Sequence, residues 1–261
     1  MPVDKSSHSA LEDTAGSANE EIVERLDVLP LTRLHLWVIV LCAAAFAIDL
    51  MEVTLGNALS AIFSAAPYRL APQQVSWLLV SVYVGAIIGA PVMGRLGDRF
   101  GLKKILMIVV FWLSATSLLG ATSPSPLALM GFRFLSGIAL GAIPPLMIAY
   151  LTDISPIGRR GLVVFLVCAI AYLAPPAAIF GLRWLTVSRP FGVEAWRWPL
   201  AAGGVLAAFV SFAFLYLPEG PRWLLASGQT SCQIRHRQIF QFANSPEFTE
   251  TSADPKPQGR A

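Results

Sequence analysis

The sequence predicts an all-α membrane protein with six transmembrane helices, on three observations. The 261-residue chain is 55% hydrophobic and only 13% charged, with a mean hydropathy of +0.63. Charged residues normally make up about a quarter of a soluble domain, so this chain has too little polar surface to cover a soluble core. Six stretches are long enough and apolar enough to cross roughly 30 Å of hydrocarbon as helices. Their apolar residues are continuous rather than alternating, which excludes a transmembrane β-barrel.

The hydropathy pattern also divides the chain. The predicted spans are residues 36–62, 75–93, 105–122, 127–151, 161–182 and 198–217. Two prolines in "TSPSP" (122–126) separate the third span from the fourth. The domain prediction is a cytoplasmic arm over residues 1–34, a six-helix bundle over 35–218, and a polar, largely disordered cytoplasmic tail over 219–261.

Small residues and prolines within the spans predict local features of the bundle. Gly137 and Gly141 are four residues apart on the fourth span, which is typical of a close contact between two helices. Proline pairs at 144–145 and 175–176 predict kinks in the fourth and fifth spans.

Basic residues indicate the orientation of the chain. With the N-terminus inside, 14 of the 19 lysines and arginines lie on the cytoplasmic side, four lie outside, and Arg133 lies within the fourth span. Short cytoplasmic loops are enriched in these residues. We therefore expect a multi-pass protein of the plasma membrane, specifically a bacterial inner membrane, with both termini in the cytoplasm.

Three ionisable residues fall inside predicted spans, where each costs roughly 2.5–3.5 kcal/mol and therefore suggests a function. Asp49 and Glu52 are three residues apart on one face of the first span. Because like charges repel in a low dielectric, one of the two should hold a proton near neutral pH, as a proton-coupling site requires. Arg133 would either bind an anionic substrate or neutralise one of these acids. Asn57 and Tyr83 are placed to line the same cavity and are further candidates for substrate binding.

No pattern in the sequence is typical of an enzyme, and we expect no catalytic residue, metal site or cofactor. The cysteines have neither disulfide nor metal-ligand spacing, and the histidines lie in tails or at a membrane boundary. These residues are Cys42, Cys168 and Cys232, and His8, His35 and His236. The net charge of +3 follows the membrane topology, so it gives no indication of nucleic-acid binding.

Four motifs resemble those of the major facilitator superfamily. The stretch "GRLGDRFGLKK" (94–104) resembles its loop signature between the second and third helices. The stretches "RFLSGIALGAIPP" (133–145) and "DISPIGRRG" (153–161) resemble its fourth helix and the following loop. "WRWPLAAGG" with "PEGPRWLL" (196–225) resembles the sixth helix and its exit in sugar and organic-acid porters, and "AIDLMEVTLGNAL" resembles the first helix of the proton-coupled organic-acid branch. Beyond residue 227 no motif resembles the family.

The resemblance implies the N-terminal half of a major-facilitator fold, built as two inverted three-helix repeats. It also implies a conformational latch, in which Asp98 docks against the second half of the carrier and neighbouring residues hold the network. The latch residues are Gly94, Asp98, Arg99, Gly101, Lys103, Asp153 and Arg160. The alternative for the charged loop 94–104 is a solvated segment that only sets the orientation.

The implied function is secondary active transport of a small organic acid, an aromatic acid included, together with protons. Two alternatives stay open, which are uptake of a sugar or polyol and a truncated, non-transporting remnant that is only a membrane protein. Since the motifs account for one half of a carrier, the expected partners are substrate, protons, the lipid bilayer, and a second six-helix half or another copy of the chain.

Overall fold

The structure, a computed structural model, describes residues 33–66, 68–188, 194, 196–220 and 223. The expectations for the arm before residue 33 and for the polar tail beyond Trp223 concern residues outside this set.

All six predicted spans are helical, and the described residues include no strand. The helices are α1 (Arg33–Ser64), α2 (Pro72–Phe100), α3 (Leu102–Ala121), α4 (Pro126–Ile154), α5 (Arg160–Ala171), α6 (Ala174–Ser188) and α7 (Arg197–Ala213). The fifth span consists of α5 and α6 together, and every span is long and apolar enough to cross a membrane. The chain is therefore a multi-pass membrane protein, and the prediction of fold class is confirmed.

The charged stretch 94–104 is not the loop that the sequence predicts. Helix α2 continues through Phe100, and α3 begins at Leu102, so only Gly101 interrupts the helical backbone. Gly101 has a φ of 108°, a conformation that glycine adopts without strain. The hydropathy pattern placed the helix end too early because a helix can continue beyond the hydrocarbon, where charged side chains are solvated.

The two proline pairs behave differently. Pro144 and Pro145 lie within the continuous helix α4. The fifth span is instead broken at Tyr172 and Leu173, and Pro175 and Pro176 lie in the first turn of α6. Proline is tolerated in a first helical turn, because the N–H groups there have no helical partner. The predicted kink in the fifth span is thus a complete break.

Helix α1 is the central helix of the bundle and contacts α2, α4, α5, α6 and α7. Its buried face joins that of α3 and α4 in a continuous apolar core that includes Ile48, Leu106 and Ile143. Large apolar side chains such as Phe165 and Phe209 are exposed on the outside of the bundle, as expected where the surrounding solvent is lipid.

Helices α2 and α4 make the most extensive contact in the bundle, through glycines on both sides. A Cβ atom added to Gly141 would lie 2.5 Å from the Cα of Ala86, and one added to Gly137 would lie 2.9 Å from the Cα of Val82. On the facing helix, a Cβ on Gly89 would lie 2.7 Å from the Cα of Ile138. The predicted close contact at Gly137 and Gly141 is confirmed, and its partner helix is α2.

Substitution of Gly141 by alanine is therefore expected to destabilise the protein by about 1–3 kcal/mol, because backbone atoms of α2 occupy the space of the new methyl group. Gly131 on the same helix offers a matched control, since a Cβ there would have no atom within 4 Å. Gly131→Ala should be neutral or stabilising by about 0.5–1 kcal/mol. Thermal unfolding in detergent measures both, and equal effects would contradict a backbone contact at Gly141.

A polar cluster joins the ends of three spans on the membrane side opposite to residues 94–104. Arg197, at the start of α7, donates hydrogen bonds to the carbonyl oxygens of Ala121 (2.7 Å) and Ser123 (2.9 Å) at the end of α3. Its Nε also donates to Glu194 at 2.8 Å, and the Tyr68 hydroxyl after α1 donates to the same carboxylate. Burial raises the pKa of Glu194, but the hydrogen bonds to its carboxylate and the positive charge of Arg197 together outweigh burial and leave the pKa below its usual value.

Candidate functional site

A buried ion pair lies at the centre of the bundle and joins α1 to α4. Arg133 Nη1 donates to Glu52 Oε2 at 2.8 Å, and Nη2 donates to the backbone carbonyl of Glu52 at 2.9 Å. The other carboxylate oxygen of Glu52 accepts a hydrogen bond of 2.6 Å from the hydroxyl of Ser117 on α3. The side chains of Arg133 and Glu52 are only 4% and 1% exposed. The sequence left open whether Arg133 binds an anionic substrate or neutralises an acid of the first span. In the structure it neutralises Glu52.

Two glycines make room for this pair. A Cβ atom on Gly56 would overlap Arg133 Nη2 and lie 3.4 Å from its Cζ. On α7, a Cβ on Gly203 would lie 3.3 Å from Glu52 Oε1 and 2.5 Å from Met51 Cε. The pair thus depends on small residues of α1 and α7 as well as on its own charges.

Asp49 differs from Glu52 in its contacts. Its side chain lies one turn earlier on α1 and is also buried, at 4% exposed. Among the residues that the structure describes, none forms a hydrogen bond with its Oδ1. A buried carboxylate without partners is costly, whereas a protonated carboxyl group is tolerated more easily. The two acids, which the sequence predicts to act together, therefore differ in their contacts. Both carboxylate oxygens of Glu52 accept hydrogen bonds, whereas Asp49 Oδ1 has no partner among the described residues.

The three predicted substrate-binding residues come together at one cleft. Asn57, Tyr83 and Arg133 line one open cleft between α1, α2 and α4. Apolar side chains, including Leu78 and Val82, form the rest of its walls. Asn57 and Tyr83 are exposed, so their amide and hydroxyl groups can form hydrogen bonds with a solute in this cleft.

The predicted latch residues lie near one another at the opposite ends of the helices but do not form one network. The side chain of Asp98 is exposed, and no described residue forms a hydrogen bond or an ion pair with its carboxylate. Arg99 stacks over the ring of Phe100, with its Cζ 5.4 Å from the ring centroid. Lys103 turns towards the end of the sixth span and donates from Nζ to the carbonyl of Leu215 at 3.4 Å.

The three remaining latch residues are Asp153 in the last turn of α4, Arg160 at the start of α5, and Gly94 within α2. Asp153 packs against Gly220, where a Cβ atom would lie 2.7 Å from the Asp153 Cγ. Arg160 donates from Nε to the carbonyl of Ser155 at 3.3 Å. Gly94 has open space around its Cα, so no described residue requires a glycine there.

The sequence analysis did not single out Ser117, beside the ion pair, or Glu219, beside the latch residues. Glu219 accepts a hydrogen bond of 3.3 Å from the backbone N–H of Lys103, in the first turn of α3. Its negative charge is favourable there, because the N-terminus of a helix carries a partial positive charge. Burial raises the pKa of Glu219, while Lys104 and Lys103 oppose that rise. Glu219 could have been identified as the acid of the motif "PEGPRWLL". Nothing in the sequence distinguished Ser117 from other hydroxyl residues in the spans.

The described residues contain no group of three or more His, Cys, Asp or Glu side chains that could hold a metal ion. The polar chemistry of the site is therefore that of one ion pair, one unpaired carboxyl group and neutral hydrogen-bonding groups.

This six-helix arrangement has the fold of the N-terminal half of a major-facilitator transporter. It is similar to a solved structure of the major facilitator superfamily proton:xylose symporter XylE bound to 6-bromo-6-deoxy-D-glucose. The TM-score is 0.68 at 16% identity, and the match covers 84% of this chain and 51% of that one.

The chain belongs to the sugar (and other) transporter family, which matches residues 39–250. That match extends beyond residue 227, where the motif resemblance ends. The chain is 31% identical to the arabinose-proton symporter of Bacillus subtilis over 169 residues, which is 63% of this chain and 36% of the relative. It is 33% identical to the D-xylose transporter of Levilactobacillus brevis over 178 residues, 67% of this chain and 37% of the relative.

The chain thus matches well under half the length of these curated relatives. Their names refer to sugars, so they give no support to the organic-acid substrate that the sequence predicts. They favour the sugar alternative.

Proposed function

We propose that the chain is one six-helix half of a proton-coupled carrier for a small, uncharged sugar. The names of its relatives support this proposal, since one is an arabinose-proton symporter and another a D-xylose transporter. The observation that carries it is the engagement of Arg133 by Glu52 beside the cleft.

The ion pair bears directly on the class of substrate. An arginine that binds an anionic substrate needs a positive charge that is not already neutralised. Here the guanidinium group is neutralised by Glu52, and two of its N–H groups are used within the protein. The cleft next to it then offers Asn57 and Tyr83, whose neutral groups suit the hydroxyl groups of a sugar better than a carboxylate.

Proton coupling requires an acid that can gain and lose a proton as the carrier changes conformation. Asp49 suits this role because it is buried and its Oδ1 has no hydrogen-bond partner among the described residues. Glu52 is held as a carboxylate by Arg133 and Ser117 and suits the role of a permanent counter-ion. We therefore assign the transported proton to Asp49, with Glu52 as the residue that positions Arg133.

A complete carrier of this kind has two six-helix halves with the solute between them. The partner in the proposed assembly is therefore a second six-helix half, or another copy of this chain. The relatives are bacterial, and basic residues are concentrated on the side of residues 94–104. Both support the plasma membrane of a bacterium, with that side in the cytoplasm.

Asp98 is proposed to dock against the second half as part of a conformational latch. Its carboxylate forms no hydrogen bond or ion pair with a described residue, so Asp98→Asn should leave folding and membrane insertion unchanged. Loss of a hydrogen bond to a charged group costs about 1.5–3 kcal/mol. We therefore expect the transport rate of the assembled carrier to fall by roughly tenfold or more. If the asparagine variant transports at the normal rate, Asp98 only belongs to a solvated helix end.

Uptake into proteoliposomes by the assembled carrier, which contains this chain and its second six-helix half, tests the proposed function. D-Xylose or L-arabinose should accumulate when the outside is acidic, and an uncoupler that collapses the pH gradient should abolish this accumulation. Benzoate serves as the control substrate for the organic-acid alternative. Accumulation of benzoate without either sugar would overturn the sugar proposal, and absence of all three would favour a non-transporting membrane protein.

A further inference from the structure

One tryptophan lies in the middle of a membrane span, away from both interfaces. Trp112 is the eleventh of the 20 residues of α3, which extends over Leu102–Ala121. Tryptophan is enriched at the two membrane–water interfaces, where its indole N–H reaches water or headgroups. Trp112 is 43% exposed at membrane depth, so its N–H can find a partner only within the protein. Its place in the membrane does not by itself explain this residue.

The partner of the indole is the backbone of α4, close to Arg133. The Trp112 Nε1 donates a hydrogen bond of 2.9 Å to the carbonyl oxygen of Leu135. Leu135 follows Arg133 by two residues and lies in the same turn of α4. A carbonyl oxygen has two lone pairs, so it can accept this hydrogen bond in addition to the one within its own helix. The indole therefore joins α3 to the turn of α4 that carries Arg133.

Helix α3 also contacts the other member of the ion pair. The hydroxyl of Ser117, five residues after Trp112, donates to Glu52 Oε1 at 2.6 Å. One helix thus makes a hydrogen bond to each side of the pair, to the carboxylate of Glu52 through Ser117 and to the turn of Arg133 through Trp112. The separation of Glu52 from Arg133 then depends on where α3 holds the two neighbouring helices.

The position of α3 is itself fixed by two reciprocal hydrogen bonds with α7. Ser114 on α3 donates to the carbonyl of Gly204 at 2.7 Å, and Ser211 on α7 donates to the carbonyl of Met107 at 2.9 Å. Lipid gives no hydrophobic force between membrane helices, so close packing and hydrogen bonds between helices orient them. Because a hydrogen bond is directional, the bond from Trp112 sets the rotation and height of α4 as well as its distance from α3.

We propose that Trp112 is a positioning residue for the ion pair, because its hydrogen bond to the carbonyl of Leu135 holds α4 so that Arg133 meets Glu52. The indole does not touch either charge and acts through the backbone of α4. The role in the ion pair is independent of the solute, whereas the effect on sugar binding rests on the proposed function.

A stability cycle in detergent tests the positioning role in the full chain. Trp112→Phe keeps an aromatic ring but removes the N–H donor. It is measured in the parent protein and in the double variant Glu52→Gln with Arg133→Gln, which has no ion pair. We expect the midpoint of thermal unfolding to fall by about 2–4 °C in the parent and by less than half of that in the double variant, where no ion pair is left to position.

Trp77→Phe is the matched control, since Trp77 is 58% exposed on α2 and no described residue accepts a hydrogen bond from its indole N–H. The control should leave the midpoint unchanged. Equal falls for Trp112→Phe in the parent and the double variant would mean that Trp112 contributes only to the packing of α3 on α4, and the inference would be wrong. No fall in the parent would overturn it as well.

Sugar transport by the assembled carrier gives a second readout. Arg133 lines the cleft, so a displaced guanidinium group should raise the KM for D-xylose about three- to tenfold, the effect of one hydrogen bond between membrane helices. The kcat should stay within about twofold, whereas a merely less stable variant would lose active carrier with no change in KM. An unchanged KM would overturn the effect on the cleft. If the parent carries no sugar, the proposed function fails, and the stability cycle still decides the role of Trp112.

Discussion

Replacement of Glu52 by glutamine is expected to lower the free energy of unfolding by about 3–5 kcal/mol, the usual cost of breaking a buried ion pair from one side. Glutamine retains the size of Glu52 but leaves the Arg133 guanidinium, 4% exposed, without a negative charge. The same cost is expected for Arg133→Gln, because Glu52 would keep only its hydrogen bond from Ser117.

The double variant Glu52→Gln with Arg133→Gln is the decisive control. If the single variants fail because one charge is left unpaired, removal of both charges should give a protein more stable than the sum of the two losses predicts. Unfolding in detergent measures all four proteins of this cycle. Additive losses would show that the two side chains contribute independently, and would refute the ion pair as the contact between α1 and α4.

Replacement of Asp49 by asparagine is expected to abolish sugar accumulation driven by a pH gradient while sugar exchange without a gradient continues. Asparagine resembles the protonated acid in shape and charge but cannot release a proton. The change should not destabilise the fold, since Asp49 Oδ1 has no hydrogen-bond partner among the described residues. The measurement compares gradient-driven uptake with gradient-free exchange in proteoliposomes, for the parent protein and the variant.

Ser117→Ala is a suitable comparison, because it removes a hydrogen bond from Glu52 and leaves Asp49 intact. This variant should weaken both kinds of transport together and keep them coupled to protons. Full accumulation by Asp49→Asn would mean that the transported proton binds elsewhere. Equal uncoupling by Asp49→Asn and Ser117→Ala would instead mean that Asp49 and Glu52 titrate as one unit, as the spacing in the sequence alone suggests.

The six spans were predictable because hydropathy measures the cost of placing each segment in lipid, which is the main constraint on a membrane helix. The helix ends were less predictable, since the segment from Gly94 to Phe100 is both charged and helical. The only sign of the break at Tyr172 in the sequence is the proline pair that follows it. Such a pair does not predict a break, because Pro144 and Pro145 lie within a continuous helix.

The candidate site shows a similar division. Charges inside spans are rare enough to identify Asp49, Glu52 and Arg133 directly. Their pairing depends on the rotation and packing of helices far apart in sequence, so the sequence left open which acid Arg133 meets. Ser117 and Glu219 act through hydrogen bonds to distant segments, and such contacts follow from tertiary structure alone.

The hydrogen bonds of Arg197 have a consequence for the order in which the protein assembles during synthesis. The third span leaves the ribosome long before the sixth, yet the carbonyls of Ala121 and Ser123 receive their guanidinium donor only from the start of the sixth. Until then the last turn of α3 has unsatisfied carbonyls and can fray into the headgroup region. The end of α3 therefore becomes fixed only once translation has delivered the final span, so a nascent chain with five spans is still an incompletely folded intermediate.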